Sequence, residues 1–281
     1  MRKLTYTIDS TFQSKKAKSF LLYIGCSAEI IKELKEGGLL INGKSAFTVQ
    51  KLEENDILEI LLPDESPDVE AVLCERVKLI YCDNDIAVAD KPPFLPVHQS
   101  PGHYGDTLAN HFAAVFPHCK FRGVDRLDKN TSGLCVAALH KLSAAILCGS
   151  RPKKLYYAAV KGNIPDYGRI ELPIAREEGS LIKRCVSEKG QRAVTEYKTV
   201  RERGDIKLLE ISLETGRTHQ IRVHMAYLGF PLLGDDLYGG DCSLISRQAL
   251  HCGKIRLIHP ITKEKLEFSS AVPEDMLSLF D

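Results

Sequence analysis

The chain has 281 residues, 44% hydrophobic and 27% charged, with a formal net charge of +1. That length suffices for one large domain or for a small module plus a catalytic domain. The near-zero charge leaves only a local basic face to attract a polyanion. No run approaches the roughly 20 apolar residues of a membrane span, and the opening MRKLTYTIDS has no apolar signal region, which argues against secretion. Nine cysteines lack CxxC spacing and nine histidines lack HExxH spacing, so no metal site is expected. The cysteines read as small buried hydrophobes in a reducing cytoplasm.

Residues 14–62 read as a compact α/β module. A short helix spans 16–24 and ends at Gly25; a second, N-capped by Ser27, runs to Glu36 before Gly37-Gly38. Asn42-Gly43 between short β-like runs signals a hairpin, and a strand at 57–62 closes the unit. Lys15, Lys16, Lys18, Lys32, Lys35 and Lys44 form either a basic face or a solvated helix surface shared with Glu29, Glu33 and Glu36. The stretch PDESP at 63–67 starts a linker.

From Arg76 onward, strands are predicted at 77–81, 86–89, 134–138, 156–160, 195–201, 207–213 and 255–258. Helices are predicted at 107–116, 141–148 and 218–228. Strands outnumber helices without regular alternation, which predicts an α+β domain with a mixed, largely antiparallel sheet.

Three segments carry candidate chemistry. The first, GVDRLDKNTSG at 123–133, places Asp125, Arg126, Asp128 and Lys129 in a turn before a strand: an exposed polar turn, or a site built at a strand end. The second is TGRTHQIRVHM at 215–225. Gly216 permits a sharp turn, Thr215 or Thr218 can cap the helix, and the exposed N–H groups suit phosphate. Arg217 and Arg222 lie five apart and diverge on a helix, so one can face outward while the other faces inward. His219 and His224 read as packed or hydrogen-bonded histidines rather than metal ligands. The third, KLYYAAVKG at 154–162, puts Tyr156, Ala158 and Val160 on one strand face, Tyr156 being a core aromatic or a site residue.

RLDxxTSG, KxYxAxVxG and TGRTHQIRVHM, in that order, resemble the RluA-type pseudouridine synthases. The resemblance extends to IYCDNDIAVADKPPFLPVH (80–98), GFPLLGDDLYG (229–239) and QALHCGKIRLIHP (248–260), about 200 residues in all. The two helices followed by GxLxINGK resemble the small RNA-binding module named after ribosomal protein S-four. The implied organisation is an S-four-like module (1–65), a linker (66–75) and a pseudouridine synthase catalytic domain (76–281).

The resemblance implies isomerisation of uridine in structured RNA, with ribosomal RNA of the large subunit favoured over transfer RNA. It implies no cofactor, no metal, no membrane and no obligate protein partner; a non-catalytic assembly factor on the same fold is the alternative. Asp128 corresponds to the essential carboxylate, Arg222 to its ion-pair partner and Tyr156 to the aromatic stacked on the base. Arg126 corresponds to the residue that fills the space vacated by a flipped nucleotide. Lys129 and Arg217 are phosphate-contact candidates, and Lys16, Lys18 and Lys44 would bind RNA from the module. Deleting residues 1–65 is expected to weaken RNA binding more than it affects the catalytic domain.

Three departures stand out. Asp125 replaces the usual histidine and is expected to weaken local attraction for phosphates. Phe94 replaces the usual glycine after the KP pair, and the turn there is expected to differ. The segment 140–156 is shorter than usual and is expected to change the surface beside the cleft.

Overall fold

A computed structural model describes all 281 residues. The N-terminal unit contains β1 (Arg2–Thr7), α1 (Ala17–Tyr23), α2 (Ala28–Glu36), β2 (Leu39–Ile41), β3 (Lys44–Ser45) and β4 (Ile57–Leu62). Its antiparallel sheet has the order β1-β4-β2-β3. The Ser27 side chain accepts from the Ile30 N–H, capping α2 as predicted. Asn42 and Gly43 both take the positive φ that a tight hairpin needs. Strand β1 was not anticipated; it pairs with β4 along its whole length.

The larger unit contains β5 (Lys78–Cys82), β6 (Ile86–Lys91), α3 (Leu108–Val115), β7 (Arg122–Gly123), β8 (Ser132–Ala138), α4 (Lys141–Ser150) and β9 (Lys153–Lys161). It continues through β10 (Tyr167–Glu171), β11 (Ile174–Arg176), β12 (Arg184–Val186), β13 (Val194–Arg203) and β14 (Ile206–Leu213). It closes with α5 (Gln220–Tyr227), β15 (Leu250–Ile258), β16 (Lys265–Ser269) and α6 (Glu274–Leu277). The main sheet runs β10-β13-β14-β9-β15-β8-β6-β5, with β16 and β7 paired alongside. Its only parallel pairing is β8 with β15, so the predicted mixed, largely antiparallel character is observed.

That parallel contact is tight. A side chain at Gly133, where φ is +109°, would meet the Cys252 backbone within 3 Å. Only glycine fits there, and the close approach brings the loop before β8 beside β9 and β15. Tyr156 lies opposite Cys252, next to a bulge at Gly253.

Helix α4, within the shortened segment 140–156, packs on the N-terminal unit: Leu142 is fully buried in that unit's core, with Ala145 and Ile146 against it. Arg2 donates to both oxygens of Asp85 at 2.8 and 3.0 Å, and His140 contacts the same carboxylate at 2.9 Å. Lys141 pairs with Glu33 of α2. The two units therefore share apolar and ionic contacts.

Candidate active site

Three distant segments converge on one pocket whose polar lining includes Arg126, Asp128, Tyr156, Arg217, His219 and Arg222. Asp128 sits in the loop between β7 and β8, in a turn closed by the Thr131 N–H donating to the Asp128 carbonyl at 3.1 Å. Tyr156 faces the pocket from β9 and is 8% exposed. Arg222, on the first turn of α5, is buried. Its Nη1 donates to Asp128 Oδ2 at 2.9 Å, while Nε and Nη2 donate to the two oxygens of Asp235 at 2.7 Å each. The guanidinium also lies 5.0 Å from the centre of the Tyr238 ring, a stacking contact that suits a planar cation.

Asp235, completely buried, is the functional residue that sequence reasoning missed. It lies in the 229–239 stretch, and its bidentate grip fixes the guanidinium so that one N–H pair remains for Asp128. Burial opposes the charge on Arg222, but the bonds to Asp235 and Asp128 outweigh it and hold its pKa above the ordinary guanidinium value. Burial pushes the Tyr156 phenol well above its usual range, so it is protonated at neutral pH.

His219 is held in a hydrogen-bond network beside Asp128. The Tyr238 hydroxyl accepts from the Arg184 N–H at 3.0 Å, so its own proton points to His219 Nδ1, 2.9 Å away. This network assigns the imidazole proton to Nε2, which lies 3.7 Å from Asp128 Oδ2. Burial lowers the His219 pKa despite the nearby Asp128, so the ring is neutral at pH 7. His219 has φ +58°, a left-handed conformation that costs a non-glycine residue about 1–2 kcal/mol. His224 is a buried, hydrogen-bonded histidine, as read from the sequence, contacting Thr195 Oγ1 and the Leu172 carbonyl.

Neither Thr215 nor Thr218 caps α5, which starts two residues later than predicted. The Gln220 side chain organises the turn: its Oε1 accepts from Thr215 Oγ1 and from the Arg217 N–H, and its Nε2 donates to the Val194 carbonyl. The Arg217 amide is therefore already committed and is not a free phosphate donor.

Two buried cations brace the catalytic loop through its carbonyls. Lys91 Nζ donates to Pro92, Leu95 and Lys129 oxygens at 2.8–3.1 Å, and burial lowers its pKa to about 8. Arg247 Nη1 donates to the Asn130 carbonyl at 3.3 Å. Phe94, within the turn that Lys91 spans, adopts φ +63°; the backbone there takes a glycine-like conformation despite the substitution.

Arg126 is exposed at the pocket. Arg217 lines it with Nε donating to the Arg192 carbonyl at 3.0 Å. Lys129 is exposed and contacts His103 Nε2 at 3.0 Å. Lys16, Lys18 and Lys44 are exposed on the N-terminal unit and do not line the pocket. Asp125 corrects its expectation: its carboxylate is buried against Lys154 at 2.7 Å rather than turned toward phosphates. The grouping of metal-ligand types, Asp83, Asp85 and His259, is already committed. Asp83 accepts from two backbone amides and contacts His259, Asp85 binds Arg2 and His140, and His259 Nδ1 accepts from Thr262.

Residues 85–227 match the family model described as RNA pseudouridylate synthase. The chain belongs to that family. It is 37% identical to an uncharacterized RNA pseudouridine synthase, YjbO, of Bacillus subtilis, over 93% of this chain and 97% of the relative. It is 32% identical to ribosomal large subunit pseudouridine synthase D of Zymomonas mobilis, over 90% and 88% of the two chains. The solved human RNA pseudouridylate synthase domain containing 1 superposes with a TM-score of 0.62 at 26% identity, covering 76% of this chain and 89% of that one. The enzyme is thus an RNA-modifying isomerase. Its reaction breaks the bond from uracil N1 to the ribose, makes one from C5, and releases the C5 proton while N1 takes one up.

Proposed function

We propose that the enzyme isomerises specific uridines in structured large-subunit ribosomal RNA. The observation carrying the RNA class is similarity, over most of both chains, to a relative named for the large ribosomal subunit. The N-terminal unit, residues 1–65, would bind RNA through Lys16, Lys18 and Lys44, residues 66–75 would link it to the catalytic unit, and tethering would raise effective concentration.

Asp128 is the reacting carboxylate. Arg222 and His219 both approach Oδ2, so Oδ1 is the oxygen free to act on the ribose anomeric carbon or on the base. Arg222 fixes the direction of the group through its bond to Oδ2. Tyr156 offers a π-face to the uracil and, protonated, a hydroxyl for proton transfer. A stacked base is out of reach, so the nucleotide flips out and Arg126 fills its place; Lys129 and Arg217 hold flanking phosphates. Pseudouridine mapping of total RNA, with and without this enzyme, tests the reading. Loss of defined large-subunit sites is expected; loss confined to transfer RNA would overturn it.

A further inference from the structure

We propose that the buried Asp125–Lys154 ion pair is a positioning element of the active site, tying the loop that carries Asp128 to the strand that carries Tyr156. Asp125 and the buried Leu127 point down from the loop, while Arg126 between them is exposed. Lys154 lies two residues before Tyr156 on β9 and so shares its face. The carboxylate and ammonium meet at 2.7 Å, bridging the two elements directly beneath the pocket.

The pair is poorly suited to stabilising the fold. Both carboxylate oxygens and the ammonium nitrogen are buried, and none has a hydrogen-bond partner of good geometry. Burial works against the charge on Lys154, but Asp125 holds its pKa well above the ordinary lysine value, so the lysine stays charged. Ion pairs left with unfilled hydrogen-bonding capacity in the interior are often no better than apolar side chains of similar volume. Its contribution is instead geometric. Lys91 and Arg247 hold the far half of the loop through the carbonyls of Lys129 and Asn130. Asp125–Lys154 holds the near half, and Asp128 lies between the two anchors.

Displacing a reacting group by about 1 Å can cost on the order of 10²-fold in rate. The test compares the parent enzyme with D125N and D125N/K154M, using total RNA from cells lacking the enzyme, labelled with tritium at uracil C5. Released tritium reports isomerisation whatever the RNA class. D125N should melt lower, because it leaves Lys154 buried without its counter-charge. D125N/K154M should regain most of that stability yet turn over roughly tenfold or more slowly. KM for RNA should be unchanged in both, since neither residue reaches the RNA-facing surface. Parent-like kcat in a folded variant would overturn the proposal, as would a raised KM with kcat intact. The second substitution offsets the loss of stability caused by the first, so one variant that melts natively is enough for the decision.

Discussion

Asp128 and Asp235 share one arginine, and the same substitution should affect stability at one and chiefly activity at the other. In D235N the amide keeps the shape but removes the carboxylate that takes two Arg222 bonds at 2.7 Å. Breaking a buried pair typically costs about 3–5 kcal/mol. Asp128 remains at 2.9 Å as a partial counter-charge, which places the cost near the lower end, about 3 kcal/mol. At roughly 2–4 °C per kcal/mol for large domains, Tm should fall by about 6–12 °C. The freed N–H groups would turn to Asp128 and engage Oδ1, so kcat should fall by roughly 10²-fold. D128N removes the charge of a side chain that is 27% exposed and leaves Arg222 bidentately paired to Asp235. Stability should move by less than about 1 kcal/mol, while isomerisation disappears. Thermal melting and tritium release from C5-labelled RNA read both quantities. If D128N melted as low as D235N, or D235N melted like the parent, Asp235 could not be the arginine's principal anchor.

Two further outcomes follow from burial. Desolvation pushes the thiols of Cys26, Cys135 and Cys252 up to about 12 from 9.0. The unfolded chain then loses those protons first, so their contribution is complete below pH 9 and is lost as pH rises toward 12. Tm should fall across that window and fall less steeply in C26A; parallel curves would refute the assignment. Deleting residues 1–65 should destabilise the larger unit as well as weaken RNA binding. It exposes Leu142, worth about 1.5–3 kcal/mol of burial, and strips Arg2 from Asp85. L142S should recover solubility in the truncated chain, and a truncated chain melting like the parent would contradict the shared core.

The sheet, the helix caps and the three motif segments were legible because each is written in local chemistry. Short β-like runs marked seven strands of the larger unit but not β7, β10, β11, β12 or β16, Ser27 and Asn42-Gly43 marked a cap and a hairpin, and Asp128, Tyr156 and Arg222 stood in distinctive patterns. The start of α5 was misread because its helical period extends back to Thr218, whereas Gln220 spends its amide on the preceding turn and leaves His219 left-handed. That is tertiary structure overriding propensity. Strand β1 is anchored by Leu4 in alternation with exposed residues, a short signal whose partner β4 lies some fifty residues away. The inward turn of Asp125 was available in principle: it shares parity with apolar Leu127, and Lys154 shares parity with Tyr156.

What no residue pattern could mark is how the catalytic loop is held. Lys91 binds the carbonyls of Pro92, Leu95 and Lys129, and Arg247 binds that of Asn130. A carbonyl is present in every residue, so the identities of these acceptors carry no information about the contact. The cations themselves look in sequence like ordinary surface lysine and arginine. Only burial separates them, since both are essentially inaccessible and a buried cation requires acceptors to face it. The Asp128 carboxylate is thus readable from its motif, while the stiffness that holds its loop resides in backbone oxygens brought to buried charges by the fold.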